Sequence, residues 1–398
     1  MEKTHISGKT RRDKLWNKNF TILFIANVAS MIGFQMINPN MAAYASSLGA
    51  AESALGAVTA MFSTAALVAR PFSGKTADRM DNRKMIFISL LAITISLFAY
   101  NFADSMPLLL AARFAHGVLF GLNSTIVMTM ASRVLPEERL GSGIGVFGIG
   151  QILSFSVGPY IGIYIADNMG YDWLFTIAAT FSLIAAVLAL FLSSIKTAVP
   201  GEVKAKEPFW KTFFAPEAAG PCMIAFLTST TYGAVNTFLV LHAKGRGVED
   251  IGLFFVINAI VLVSCRPVLS RIIDRVSMKL ILYPSIICLI GSMIFVGFAN
   301  SLAMFLTGAV LLGIGNGGAQ PVMQAMCLKS VGFERRGAAS GTYYIGLDLG
   351  NTFGPIVTGI VSSRFGYGNA FLSMIIPLAM SLVVTFMTGK KQEESLAA

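Results

Sequence analysis

Three ionisable side chains lie inside otherwise apolar sequence: Asp348 in TYYIGLDLGNTF, and Arg113 with His116 in LLLAARFAHGVLFG. A carboxyl group in such surroundings is held toward its neutral form and can take up or release a proton as those surroundings change. An arginine stays charged and attracts anions, whereas a histidine changes charge near neutrality. Asp348, Arg113 and His116 are therefore candidates for proton coupling. Each has a plainer alternative. Asp348 would then be a structural partner of a basic or amide group, or would lie nearer the membrane surface; Arg113 would anchor an ion pair or hydrogen bond; His116 would be a neutral histidine bonded within a helix bundle. No nucleophile motif or phosphate-binding loop accompanies them, and His5, His116 and His242 are too scattered to hold a metal. The chain is thus expected not to be an enzyme and to need no cofactor or metal.

The elements that position these groups are membrane-crossing helices. Hydrophobic residues make up 55% of the 398-residue chain and charged residues 13%, with a mean hydropathy of +0.70, far from the balance of a soluble domain. Twelve apolar runs lie near 20–44, 53–72, 85–103, 106–131, 141–166, 173–195, 218–241, 250–269, 280–299, 302–328, 338–362 and 369–388. Each is about long enough to cross a ~30 Å hydrocarbon layer as a helix. An all-α membrane protein follows, with a tail 1–19, a six-helix bundle 20–195, a linker 196–217, a second bundle 218–388 and a tail 389–398.

The net charge of +10 needs no nucleic acid to explain it. Only Lys244, Arg246 and Arg364 fall on one set of loops and Arg113 inside a helix, and the remaining basic residues lie on the other set or the tails. That asymmetry predicts cytoplasmic termini on a multi-pass protein of the cell membrane. The basic N-terminal segment lacks a cleavable signal pattern and reads as a retained tail, and FWKTFF within the linker reads as a surface-lying aromatic stretch. Cys222, Cys265, Cys288 and Cys327 have no zinc or redox spacing and read as small apolar residues.

The chain writes one design twice. Gly150, Ser154, Gly158 and Gly162 form a small-residue stripe in span 5, and Gly346, Gly350, Gly354 and Thr358 repeat it 196 residues later in span 11, with Pro355 opposite Pro159. Such stripes let helices approach closely. Asp348 aligns with Ile152, and Arg113 with Ala309, so the ionisable groups differ where the packing residues agree. In span 4, Gly117 and Gly121 should pack on a neighbour and turn Arg113, His116 and Asn123 toward a cavity. Gln35 and Asn38 share a face of span 1 ahead of a predicted break at Pro39. Tyr232 and Asn236 mark span 7, and Gln320 continues the glycine stripe of span 10; Tyr344 and Asn351 flank Asp348 on one face. Between spans 2 and 3, Gly74 is expected to allow a tight turn before Asp78, Arg79, Arg83 and Lys84. Arg266, Pro267, Asp274, Arg275 and Lys279 stand opposite Arg70, Pro71, Asp78, Arg79 and Arg83 at the same offset.

Gly74, Asp78, Arg79, Arg83 and Lys84 resemble the loop 2–3 signature of the major facilitator superfamily, with Asn82 where that signature has glycine. Arg113, Gly117 and Gly121 are similar to its second signature. Ser154, Gly158, Pro159 and Gly162 are similar to a third, found mainly in proton-coupled exporters, with Ile163 where a glycine is common. The resemblance covers residues 19–388 and implies two pseudo-symmetric six-helix bundles rocking about a midplane site. It implies that spans 1, 4, 7 and 10 line the substrate path, with Gln35, Asn38, Arg113, His116, Asn123, Tyr232, Asn236, Asn316 and Gln320 as candidates beside Tyr344. Gly74, Asp78, Arg79, Arg83, Gly158, Pro159, Gly354 and Pro355 would then serve gating, with Asp78 facing the N-terminal end of span 11. The function expected is proton-coupled efflux of a small drug-like compound or metabolite by a bacterial monomer in the lipid bilayer. Proton-linked uptake of an organic anion paired to Arg113 is the alternative, and a receptor that transports nothing is a third class.

Overall fold

In the computed structural model the described residues are 16–77, 82–135, 140–193, 214–272, 276–332 and 335–397. They are helical almost throughout, as lipid requires, because only helices and closed barrels satisfy every backbone polar group there. Ten helical segments are long and apolar enough to span a membrane. One of them, Ala338–Thr388, holds two spans, and the shorter Gly252–Arg266 supplies another. Twelve crossings result among the described residues.

Span 1 runs as Lys18–Ile37, tightens to a 3-10 turn over Asn38–Asn40 and continues as Met41–Ser47. The expected break at Pro39 is therefore a change of winding within one crossing. Spans 2 to 6 are Glu52–Ala77, Asn82–Phe98, Met106–Val134, Leu140–Asn168 and Tyr171–Ala189. Spans 7 to 10 are Ala219–Gly245, Gly252–Ile272, Met278–Gly297 and Leu302–Lys329. The helix Arg336–Ser373 breaks at Gly366, whose φ of 78° suits glycine. Span 11 precedes that break, and span 12 follows it into Ile375–Ala397. An even number of crossings puts both ends of the described chain on one face, the terminal side, opposite the far side.

The two stripes of small residues carry the same packing in each half. A Cβ on Gly162 would stand 2.1 Å from the Met36 carbonyl oxygen, and one on Gly158 2.6 Å from Gln35 Cβ, so span 5 lies directly on span 1. The Ser154 hydroxyl donates to the Gly150 carbonyl at 2.9 Å, which satisfies it within the helix. In the second half, a Cβ on Gly350 would meet the Phe226 carbonyl oxygen at 2.4 Å, and one on Gly354 the Thr230 carbonyl oxygen at 2.1 Å, which seats span 11 on span 7. Gly117 and Gly121 similarly pack on Phe62 and Ala66 of span 2, and Gly313 on Asn258 of span 8. The halves meet through spans 2 and 11 and through spans 5 and 8.

One sequence expectation changes. No tight turn occurs at Gly74, because the span 2 helix continues through it to Ala77. A glycine costs a helix interior only ~1 kcal/mol, less than the several kcal/mol of an unbonded backbone group in lipid. Arg266 lies inside the span 8 helix, within the run 250–269 expected for that span. Asp78 and Arg79, the tail before residue 16 and the linker from 194 to 213 lie outside the described residues.

Candidate functional site

The far side is where the halves close on each other. A Cβ on Gly56 of span 2 would lie 2.1 Å from the Pro355 carbonyl oxygen of span 11. The pseudo-symmetric contact, Gly252 of span 8 on Tyr160 of span 5, is looser, with a Cβ 3.0 Å from the ring. Between them the Thr237 hydroxyl donates to Thr59 Oγ1 at 3.1 Å, both residues being buried. At the rim, Lys244 Nζ stands 2.5 Å from Asp167. The apolar core follows the same plan: Met41, Leu55 and Val58 of the first half share one cluster with Phe238 and Leu239 of the second. Toward the terminal side the first half keeps its own cluster, built on Phe20, Leu23, Met85 and Met130.

Beneath this closure sits a polar group wrapped in aromatic rings. Arg113 is fully buried, its Nε donating to the Val58 carbonyl at 3.1 Å and its Nη2 to Asn38 Oδ1 at 3.3 Å. The guanidinium carbon lies 4.6 Å from the centre of the Phe62 ring, a cation–π contact. No carboxylate pairs with it among the described residues, and Nη1 has no hydrogen-bond partner there. His116 is fully buried and shares a 3.0 Å hydrogen bond between Nδ1 and the Tyr100 hydroxyl, while Nε2 has no partner among the described residues. Phe34 stacks on Phe62 at 4.8 Å and touches His116 and Phe120. Arg113 and His116 are thus enclosed within the first half; span 4 does not turn them onto an open cavity wall. Asn123, also buried, accepts from the Ser89 hydroxyl at 2.7 Å. Gln35 is buried, and neither end of its amide has a hydrogen-bond partner among the described residues.

The second half answers with fewer charges. Tyr232 reaches across the halves to Phe155, their rings 6.0 Å apart, and Asn236 donates to the Tyr232 carbonyl at 3.1 Å. Asn316 is buried, and its Nδ2 has no partner among the described residues. The Gln320 carbonyl accepts from the Tyr343 hydroxyl at 3.3 Å, and Tyr344 beside it is exposed. Asp348 lies twelve residues into its helix, about 18 Å along the axis, and is half-buried, its carbonyl accepting from Thr352 Oγ1 at 2.9 Å. Asp348, Asn351 and Pro355 recur at helical steps on one face, the face that meets Gly56 at its far end. Arg83 stands half-buried in the first turn of span 3.

Sequence reasoning missed several of these participants. Gly56 and Gly252 were legible, since they stand 196 residues apart like the other repeated positions. Asn27 and Gln151, which share a small hollow with Ser124 and Phe147, carried no such signal, and Asn27 Nδ2 is buried without a partner among the described residues. Nor did Tyr100, Phe34 or Phe62, whose apolar settings look like any packed helix.

Two matching helical bundles, closed together at one membrane face over buried polar groups, form the scaffold of a membrane transporter. The family profile described as Major Facilitator Superfamily matches residues 23–299 and 285–397. The chain belongs to that superfamily: it is a multi-pass transporter of a small-molecule substrate and not an enzyme. It is 23% identical to the multidrug resistance protein MdtG of Citrobacter koseri, over 96% of this chain and 98% of that protein. It is 24% identical to the multi-drug resistance efflux pump PmrA of Streptococcus pneumoniae, over 95% and 98%. Among solved structures, a bacterial homologue of the human lysosomal transporter Spinster, described as inward-facing and unoccupied, superposes with a TM-score of 0.79 at 13% identity, over 96% of this chain and 98% of that one. The nucleoside transporter NupG gives 0.74 at 16% identity, over 94% and 99%.

Proposed function

We propose that the protein is a proton-coupled efflux antiporter for a small drug-like compound or metabolite, facing the cytoplasm with its terminal side. The observation that carries this reading is the closed far side above buried polar groups without a partner among the described residues, Gln35 and Asn316. Buried polar groups without partners are costly, and a substrate arriving from the terminal side would satisfy them. The efflux names of MdtG and PmrA support the direction, as does the span 5 stripe.

Asp348 is the residue that couples the proton. It sits on the face of span 11 that runs up to the far-side contact. Charged, it resists burial when the halves close on the terminal side unless bound substrate covers it; protonated, it removes that cost and lets the empty protein return. Proton uptake from the far side and release to the terminal side then drive substrate the other way. Arg113 and His116, packed together, hold the first half's polar centre. Arg113 Nη1 favours a second reading in which movement within the first half uncovers it and an anionic substrate group pairs there.

Reconstitution in proteoliposomes with an imposed pH gradient tests both. Asp348→Asn should abolish gradient-driven substrate movement while counterflow exchange of substrate continues. Unchanged coupling in that variant would remove Asp348 from the mechanism, and accumulation of anions together with protons would establish uptake instead.

A further inference from the structure

A cavity of about 330 Å³ opens on the far side of the second half, where spans 7 and 9 end and spans 11 and 12 meet. His242, Arg246, Phe298, Phe365, Tyr367 and Asn369 are among its walls, and no carboxylate lines it among the described residues. Arg246 forms no ion pair with a described residue, whereas neighbouring Lys244 is paired to Asp167. The Arg246 guanidinium lies in the cavity wall, 3.6 Å from where a Cβ on Gly368 would stand. His242 Nε2 is 2.9 Å from the Val296 carbonyl. A carbonyl only accepts, so Nε2 carries the hydrogen and Nδ1 of the neutral ring is an acceptor. The Asn369 amide nitrogen donates to the Phe365 carbonyl, which leaves its oxygen as another acceptor.

The cavity therefore offers a cation with no ion pair among the described residues, and acceptors for hydroxyl groups. It opens at the membrane surface, at the ends of four spans, and Phe298 and Phe365 beside it are 61% and 65% exposed. Aromatic side chains at that level pack among lipid headgroups. The volume suits a polar headgroup and leaves acyl chains outside, against those two rings.

We propose that this cavity binds the headgroup of an anionic phospholipid of the far-side leaflet, with its phosphate on Arg246 and its glycerol hydroxyls donating to His242 and Asn369. The site is separate from the substrate path. Tyr367, which closes one wall, also lies beside Glu52 of the first half, so the occupied site borders the far-side contact.

The test is native mass spectrometry of the full-length protein as phosphatidylglycerol is titrated against a phosphatidylcholine background. The wild type should retain one phosphatidylglycerol in preference to phosphatidylcholine. Arg246→Gln should weaken that retention about fivefold, the effect of one basic residue at a membrane surface. Gly245→Leu, whose Cβ would enter open space, should fill the cavity and abolish retention with Arg246 in place. Lys244→Gln should match the wild type. Equal retention of the two lipids, unchanged retention in Arg246→Gln and Gly245→Leu, or an equal loss in Lys244→Gln would overturn the proposal. Displacement of the lipid by glycerol 3-phosphate at equal concentration would assign the site to a soluble anion and reject the phospholipid.

Discussion

Gly56→Ala should push the transporter toward the state in which the far side is open. The added Cβ would stand 2.1 Å from the Pro355 carbonyl oxygen and 2.6 Å from its carbon. Both are backbone atoms of long helices, so no side chain can swing aside. Spans 2 and 11 must separate by about 1 Å to restore ordinary contact, and overpacking of this kind costs ~1–3 kcal/mol. That cost falls on the far-side-closed state alone, because the contact does not exist once the halves part there. The closed-to-open ratio should drop by roughly 5- to 150-fold. Spin labels at Asn168 and Glu249, on a background with the four native cysteines replaced, report the far-side distance. The variant should gain a longer-distance population at the expense of the shorter one. A distribution identical to that of the parent would refute the claim that Gly56 and Pro355 form the closing contact.

The pseudo-symmetric variant Gly252→Ala should shift the same distribution less, because the nearest atom, 3.0 Å away, belongs to the Tyr160 ring, which can give; an effect equal to that of Gly56→Ala would argue against rigid closure by spans 2 and 11. Tyr100→Phe removes the hydrogen bond to a buried His116 whose other nitrogen is already unpartnered. Thermal unfolding in detergent should show a loss of ~1–3 kcal/mol, and unchanged stability would mean His116 is not held as described. Lys244→Gln should weaken far-side closure by at most ~1 kcal/mol, since the pair with Asp167 is 44% and 42% exposed, and the effect should vanish in high salt. A salt-independent effect would show that the pair is desolvated on closure.

The helical architecture was legible because lipid leaves a chain few choices. Apolar length marks a crossing, and a four-residue spacing of glycines marks a helix contact; Gly158, Gly162, Gly350 and Gly354 meet their neighbours' backbones as their spacing requires. What sits across from each stripe was not legible, since spacing along one helix carries no information about the register of another. Arg113 shows the consequence. Its burial in a membrane-spanning helix could be read, but its enclosure by Phe62, Asn38 and the Val58 carbonyl could not. Those partners come from spans 1 and 2, where an aromatic residue or an amide looks the same whether it faces lipid, a cavity or a cation. Gly74 misled for a related reason: glycine suits a turn in water, but in a helix held by lipid it is merely a weak position. The far-side cavity was invisible too, because its walls gather the ends of four spans.

The central claim is that the two membrane faces open by turns and that proton occupancy sets which is open. Two label pairs in otherwise identical protein test it most directly: Asn168 with Glu249 on the far side, and Lys84 with Lys329 on the terminal side. As pH is stepped, a population gained at the longer distance on one face should be matched by an equal loss on the other, and Asp348→Asn should remove the pH dependence. Faces that open and close together, or a pH response preserved in Asp348→Asn, would contradict it.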